Sequence, residues 1–268
     1  MRSLAWPYRL VAIALALFST VACAQPITPP ANPIAHYTTP VQRYGHFALG
    51  PPHEYASLVV KTDAGQRLKL DLPEDEVFED LVPRPVQMQA GSATEWLTVV
   101  SQRDRGARLV LVGLRHGQLQ ITAQSTPIGQ AFRWLNPVGA IDLDGDGITE
   151  IVAVVTPHLA GVLTVYQQVG AQLVARATLR GLSNHRFGSA ELGMATFVPI
   201  ASGTTVVVPS LDHQSLVLVR YARNALHATG RCAMPAAVVG AVQWSATAGL
   251  TAMLSTGLHA IDLKSCAR

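Results

Sequence analysis

Residues 138–180 read VGAIDLDGDGITEIVAVVTPHLAGVLTVYQQVGAQLVARATLR. Three short β-branched runs stand out, at Val138–Ile141, Ile151–Val155 and Val162–Tyr166, and a fourth begins at Leu173 just after Gly170. Runs of this length and composition, separated by Gly, Asp and Pro, predict strands joined by tight turns. No stretch of the chain carries a helical stripe.

The same pattern recurs outward from this segment. WLTVV at Trp96, IVAVV at Ile151, TVVVP at Thr205 and LTAML at Leu250 form one set, followed respectively by LVLVG at Leu109, VLTVY at Val162, LVLVR at Leu216 and LHAIDL at Leu258. A third set begins at Leu119, Leu173 and Leu226, after Gly117, Gly170 and Asn224. A fainter upstream copy takes Tyr44–Leu49, Leu58–Lys61 and Leu68–Leu72, and leading strands are expected near Ile34, Val86, Val138, Met194 and Val238. Each unit is then a four-stranded antiparallel meander, except the last, which stops after three strands. Meanders that bury a face only against their neighbours must stack. The expectation is therefore all-β, a small propeller of five blades, with a sandwich or barrel as the alternative.

The chain opens as a targeting segment. Arg2 and Arg9 are basic, Leu10–Phe18 is apolar, and Ala22-Cys23-Ala24 is a small-x-small cleavage signal. Residues 1–24 are read as a signal peptide, 25–33 (QPITPPANP) as a proline-rich linker, and 34–268 as the folded domain. The alternative makes Cys23 the anchor of a lipoprotein. Cleavage after Ala24 leaves two cysteines, Cys232 and Cys266, which are expected to pair in an oxidising compartment, so the protein is placed in the periplasm or outside the cell. It also removes Arg2 and Arg9, leaving 18 basic against 17 acidic residues, a balance without a nucleic-acid signature. The uncharged stretch from Ala233 to Leu258 is broken by Pro235, Gly240, Gln243, Ser245, Gly249, Ser255 and Gly257, which predicts buried strands rather than a membrane span. A monomer is expected.

Chemistry concentrates in Asp142-Leu143-Asp144-Gly145-Asp146-Gly147-Ile148-Thr149-Glu150. Calcium takes six to eight oxygen ligands, and carboxylates at alternate positions of a tight turn can converge on one point. Asp142, Asp144 and Asp146 supply that set, the Ile148 carbonyl can add to it, and Glu150 can close it. The flanks are strands and the position an EF-hand would need for its closing acid is Ala153, so the loop is not an EF-hand. An all-oxygen donor set argues against zinc and copper. The plain alternative is an Asp/Gly hairpin turn with solvated carboxylates.

At this point the chain resembles the FG-GAP or VCBS repeat proteins, whose propeller blades carry a loop of the form D-x-D-G-D-G-x-x-[DE]. Phe187-Gly188 stands for that family's Phe-Gly, and Val208-Pro209 resembles the end of its Gly-Ala-Pro element. The corresponding loops of the next units, Pro199–Gly203 and Ser245–Gly249, hold no carboxylate, so the ligand pattern is kept in one unit only. The resemblance implies an extracytoplasmic propeller that uses calcium for binding or adhesion, and names no ligand.

The connections on the opposite face from the calcium loop carry His53, Arg103, Arg105, His158, His185, Arg186, Asp212 and His213, a candidate face for a protein or glycan ligand. The acidic stretch with Glu74, Asp75, Glu76, Glu79 and Asp80 falls there too and reads first as a solvated loop. No Gly-x-Ser-x-Gly, His-Glu-x-x-His, phosphate loop or cysteine-histidine signature is present. Two functions follow: a binding or scaffolding module with calcium as a clip, or a hydrolase or lyase on an extracellular polymer using His185, Arg186, Asp212 and His213.

Overall fold

The computed structural model describes residues 34–200 and 203–267, so the expected leader, Cys23 and the linker lie outside the described residues. Strand β1 (Ile34–Pro40) pairs with β2 (Tyr55–Lys61), and β2 with β3 (Arg67–Asp71), as an antiparallel meander. A short β4 (Glu76–Phe78) pairs with both β2 and the second strand of the next group. That group is β5 (Arg84–Val86), β6 (Glu95–Gln102), β7 (Gly106–Arg115) and β8 (Gln118–Ser125), again paired in order. Next come β9 (Leu135–Ile141), β10 (Glu150–Val155), β11 (Val162–Val169) and β12 (Gln172–Arg180). A third four-stranded meander is β13 (Thr196–Ile200), β14 (Gly203–Pro209), β15 (Ser215–Ala222) and β16 (Ala225–Ala233). The last, β17 (Val238–Ser245), β18 (Gly249–Leu254) and β19 (Gly257–Ile261), has three strands. β4 and a two-residue parallel contact between β8 and β12 join β1–β12 into one hydrogen-bonded sheet.

Alternation along the strands explains how these meanders associate. In β10, Ile151 and Ala153 enter one core while Val152 and Val154 enter the next. In β7, Leu109 and Leu111 join that first core, and Val110 and Val112 join another with Leu58 and Val60 of β2. Val206 and Val208 of β14 face Val152 and Val154, while Val207 faces Leu250 and Ala252 of β18. Side chains of a strand project alternately to its two faces, so each interior sheet serves two cores. Among the described residues four cores result, one between each consecutive pair of meanders. None of the four combines β17–β19 with β1–β3. In each four-stranded meander the fourth strand carries one extra residue against the third, Thr122 in β8, Arg176 in β12 and Thr229 in β16. An extra residue at such a point bends and twists the strand.

Two expectations are corrected. Tyr44–Leu49 is not a strand: Gly45 (φ 73°) and Phe47 (φ 55°) turn the chain, and the amides of Tyr44, Gly45 and His46 donate to the buried Glu54 carboxylate instead of a neighbouring strand. The first meander therefore has three strands. The acidic stretch is solvated only in part, because Glu74 and Asp75 are exposed but Glu76, Glu79 and Asp80 are buried. Buried carboxylates persist only when paired. Glu76 meets Arg108 at 2.8 Å, Asp80 meets Arg84 at 2.7 Å and takes the Tyr37 hydroxyl at 3.0 Å, and Glu79 accepts from Ser101 Oγ at 2.6 Å.

Cys232 of β16 and Cys266 form a disulfide, and Ala267 bridges Arg231 beside it, so the last meander is fastened to its predecessor. No helix among the described residues is long and apolar enough to cross a membrane.

Candidate metal loop and aromatic groove

The β9–β10 connection is a loop tied to its own first residue. Asp142 accepts from the Gly145 amide through Oδ1 (2.7 Å) and from the Gly147 amide through Oδ2 (2.9 Å), and Asp146 Oδ1 accepts from the Ile148 amide at 2.8 Å. Gly145 and Gly147 both have φ of 85°, a region where a side chain would be strained. Leu143 points the other way, into the core between the third and fourth meanders, and anchors the loop. Carboxylate oxygens of Asp142, Asp144 and Asp146 lie within 4.8 Å of one another. Burial, and then the charge of Asp146, raises the Asp144 pKa, so the cluster favours a proton or a cation. Glu150 sits below, fully buried, accepting from the Leu143 amide and from Gln167 Nε2, both at 2.9 Å, and it is not part of the three-aspartate cluster. An all-oxygen donor set on a glycine-bearing turn fits a hard divalent cation.

A second feature lies among the β10–β11, β12–β13 and β14–β15 connections. His158, His185, Arg186, Asp212 and His213 line a cavity of about 430 Å³, and His158 also lines an adjoining one of about 140 Å³ with His46, Phe132, Trp134 and Phe187. Five of the eight candidate face residues thus converge. Arg103 and Arg105 are exposed at the β6–β7 turn, with Arg105 on a different cavity, and His53 belongs to neither cavity of the groove.

Hydrogen bonding fixes the ring protons. His185 Nε2 lies 2.9 Å from the Ser189 carbonyl, which can only accept, so His185 Nδ1 carries a lone pair. His158 Nε2, 2.8 Å from that nitrogen, must be its donor. The neutral pair packs on Trp134, whose ring lies parallel to His158 (3°, centroids 6.0 Å apart) and 4.6 Å from His185. Burial pushes His158 down to about 3, helped by the neighbouring His185, and pushes His185 down to about 4. Burial lowers His213 as well. Asp212 does not touch these rings: its Oδ1 accepts from Ser210 Oγ (2.6 Å) and the Gln214 amide (3.0 Å).

Large side chains on the rim face solvent, with Phe187 61%, Leu159 56% and Phe132 49% exposed. Phe132, Thr156 and His213, all lining the groove, hold φ of 54°, 49° and 61°. Backbone strain of this kind collects at functional sites. His46, Glu79, Trp134 and Phe132 carry no motif in the sequence. His46 Nδ1 is held at 2.8 Å by Glu79 Oε1, and Trp134 Nε1 donates to the Glu79 carbonyl at 2.9 Å.

No protein-family model matches this sequence, and no curated protein matches it.

Proposed function

We propose that the chain is an exported, calcium-binding β-propeller whose five meanders are blades, acting in the periplasm or outside the cell as a binding or scaffolding module. The blade reading is supported by interior sheets that divide their side chains between two cores. The calcium reading rests on the three converging aspartates and on the FG-GAP or VCBS-like spelling of their loop. The observation that carries the binding function is the groove, in which exposed Phe132, Leu159 and Phe187 surround a hydrogen-bonded neutral His158–His185 pair on Trp134.

 Apolar side chains left in water around a concave, pre-formed floor favour a ligand that covers them. The test is capture of extracytoplasmic proteins and glycans by the wild type, by Phe187→Ala and by Arg186→Glu. Loss of the captured partner in both variants, with unchanged unfolding midpoints, is expected; unchanged capture overturns the reading.

A polymer hydrolase or lyase is the second reading, and one observation favours it. With Nδ1 committed to Glu79, His46 offers Nε2 to the smaller cavity as a base oriented by a buried carboxylate. His185 and His213 are less suited to that role, because burial disfavours their taking a proton. Polymer cleavage abolished by His46→Asn would establish the enzyme.

A further inference from the structure

The largest cavity among those described, about 540 Å³, lies between the metal loop and the β5–β6 connection. Gly147, Ile148 and Thr149 form one wall, and Gln89, Ser92 and Glu95 belong to the other side. Thr149 Oγ1 donates to the Gln87 carbonyl at 3.2 Å, which ties the two walls together.

Glu95 is the unusual group here. It is 5% exposed, and Arg115 Nη2 meets only its Oε1, at 2.7 Å. Its Oε2 has no partner among the described residues and is not sealed from solvent. Space for the pair depends on Gly113, where an added Cβ would come within 2.7 Å of Glu95 Oε1. A buried carboxylate that lines a cavity and is bonded to its arginine through one oxygen only keeps the other as an acceptor waiting for a donor.

The rest of the lining, Arg115 included, mixes donors with acceptors. Gln168 uses one Nε2 hydrogen on the Gly170 carbonyl (3.2 Å), which leaves Oε1 to accept and a second N–H to donate, and Thr149 has spent its hydroxyl proton. Met88 and Ile148 add apolar surface to this polar lining. Because Glu95 and Arg115 cancel in charge, the cavity selects a neutral ligand that carries several hydroxyl donors and C–H faces. We infer that this cavity is a saccharide site, taking a neutral oligosaccharide whose hydroxyls donate to Glu95 Oε2 and Gln168 Oε1. It is separate from the His158 groove and does not require the propeller reading.

The test is calorimetric titration of the mature protein with maltotetraose, cellotetraose, xylotetraose and tetra-N-acetylchitotetraose, with spermidine as a cationic comparator. At least one tetrasaccharide is expected to bind. Gln168→Ala and Ser92→Ala, both at less buried positions, should each weaken it by fivefold or more without moving the unfolding midpoint, and Glu95→Gln should do the same or more. Phe187→Ala should leave this binding unchanged, which separates the cavity from the groove. The inference is overturned if no tetrasaccharide binds, if spermidine alone binds, or if binding survives Gln168→Ala and Ser92→Ala but is lost in Phe187→Ala.

Discussion

Acidification from pH 7.5 to pH 5 should destabilise this protein through its buried histidines. Burial holds His185 at about 4 and His158 at about 3 in the folded chain, whereas both return to an ordinary value near 6.5 on unfolding. The folded-state values are depressed, so the unfolded chain binds the extra protons. Their stabilising effect is complete above about pH 6.5 and drains away as the pH falls toward the folded-state values. At pH 5 the folded rings remain neutral while the unfolded ones are almost wholly protonated, which costs about 2 kcal/mol for His185. That figure is insensitive to how far below 5 the folded value lies. His158 sits nearer solvent and contributes about 1 kcal/mol after allowance for screening. Together these take about 3 kcal/mol from a domain whose net stability is of order 5–15 kcal/mol. Urea unfolding at both pH values, for the wild type and His185→Gln, isolates the effect from carboxylate titration: the variant should lose about 2 kcal/mol less on acidification. Proton NMR of the imidazole rings provides the direct check. A His185 ring that titrates near pH 6.5 in the folded protein, or equal acid losses in the two proteins, would refute the reasoning.

Three further outcomes are expected. Replacing both cysteines, Cys232→Ser with Cys266→Ser, frees a loop of 34 residues and should cost about 4 kcal/mol in denaturant unfolding; a loss below about 1 kcal/mol would mean the bridge constrains little. Calcium should raise the thermal midpoint of the wild type relative to chelator and leave Asp144→Asn with a smaller response, and a wild-type midpoint indifferent to calcium, with no copurifying metal, would end the calcium reading. Gly161→Ala should destabilise by more than about 1 kcal/mol, because Gly161 has φ of 55° and the added methyl runs into the Leu182 carbonyl oxygen; a neutral result in urea titration would contradict the packing described there.

The strands were legible because their signal is local. Runs such as Ile151–Val155 and Leu216–Val219 are β-branched and bounded by turn residues, and the structure places them in β10 and β15. Tyr44–Leu49 misled because its composition suits a strand, while the deciding group, the Glu54 carboxylate that gathers its amides, is not part of the run. Burial of Glu79 and Asp80 was hidden for the same reason. Arg84, four residues after Asp80, is near in sequence, but the partners His46, Ser101 and Tyr37 come from other parts of the chain. At the site, the aspartate loop is a contiguous motif and could be read directly. The groove could be read only as a collection of ionisable connections. That His158 and His185 meet on Trp134, with Phe132 held through its amide by the Tyr44 hydroxyl at 2.8 Å, depends on contacts between separate meanders.

The division of each interior strand between two cores also limits how this chain can change in length. Inserting or deleting one residue in the middle of β10 would exchange the places of Ile151 and Ala153 with those of Val152 and Val154 beyond that point, disturbing two cores with a single event. A substitution at Val154 disturbs one. Length changes are therefore tolerable only where no side chain is committed to a core, as at the exposed Ala64-Gly65 turn, so drift among descendants of this sequence should lengthen its turns while its strands keep their count.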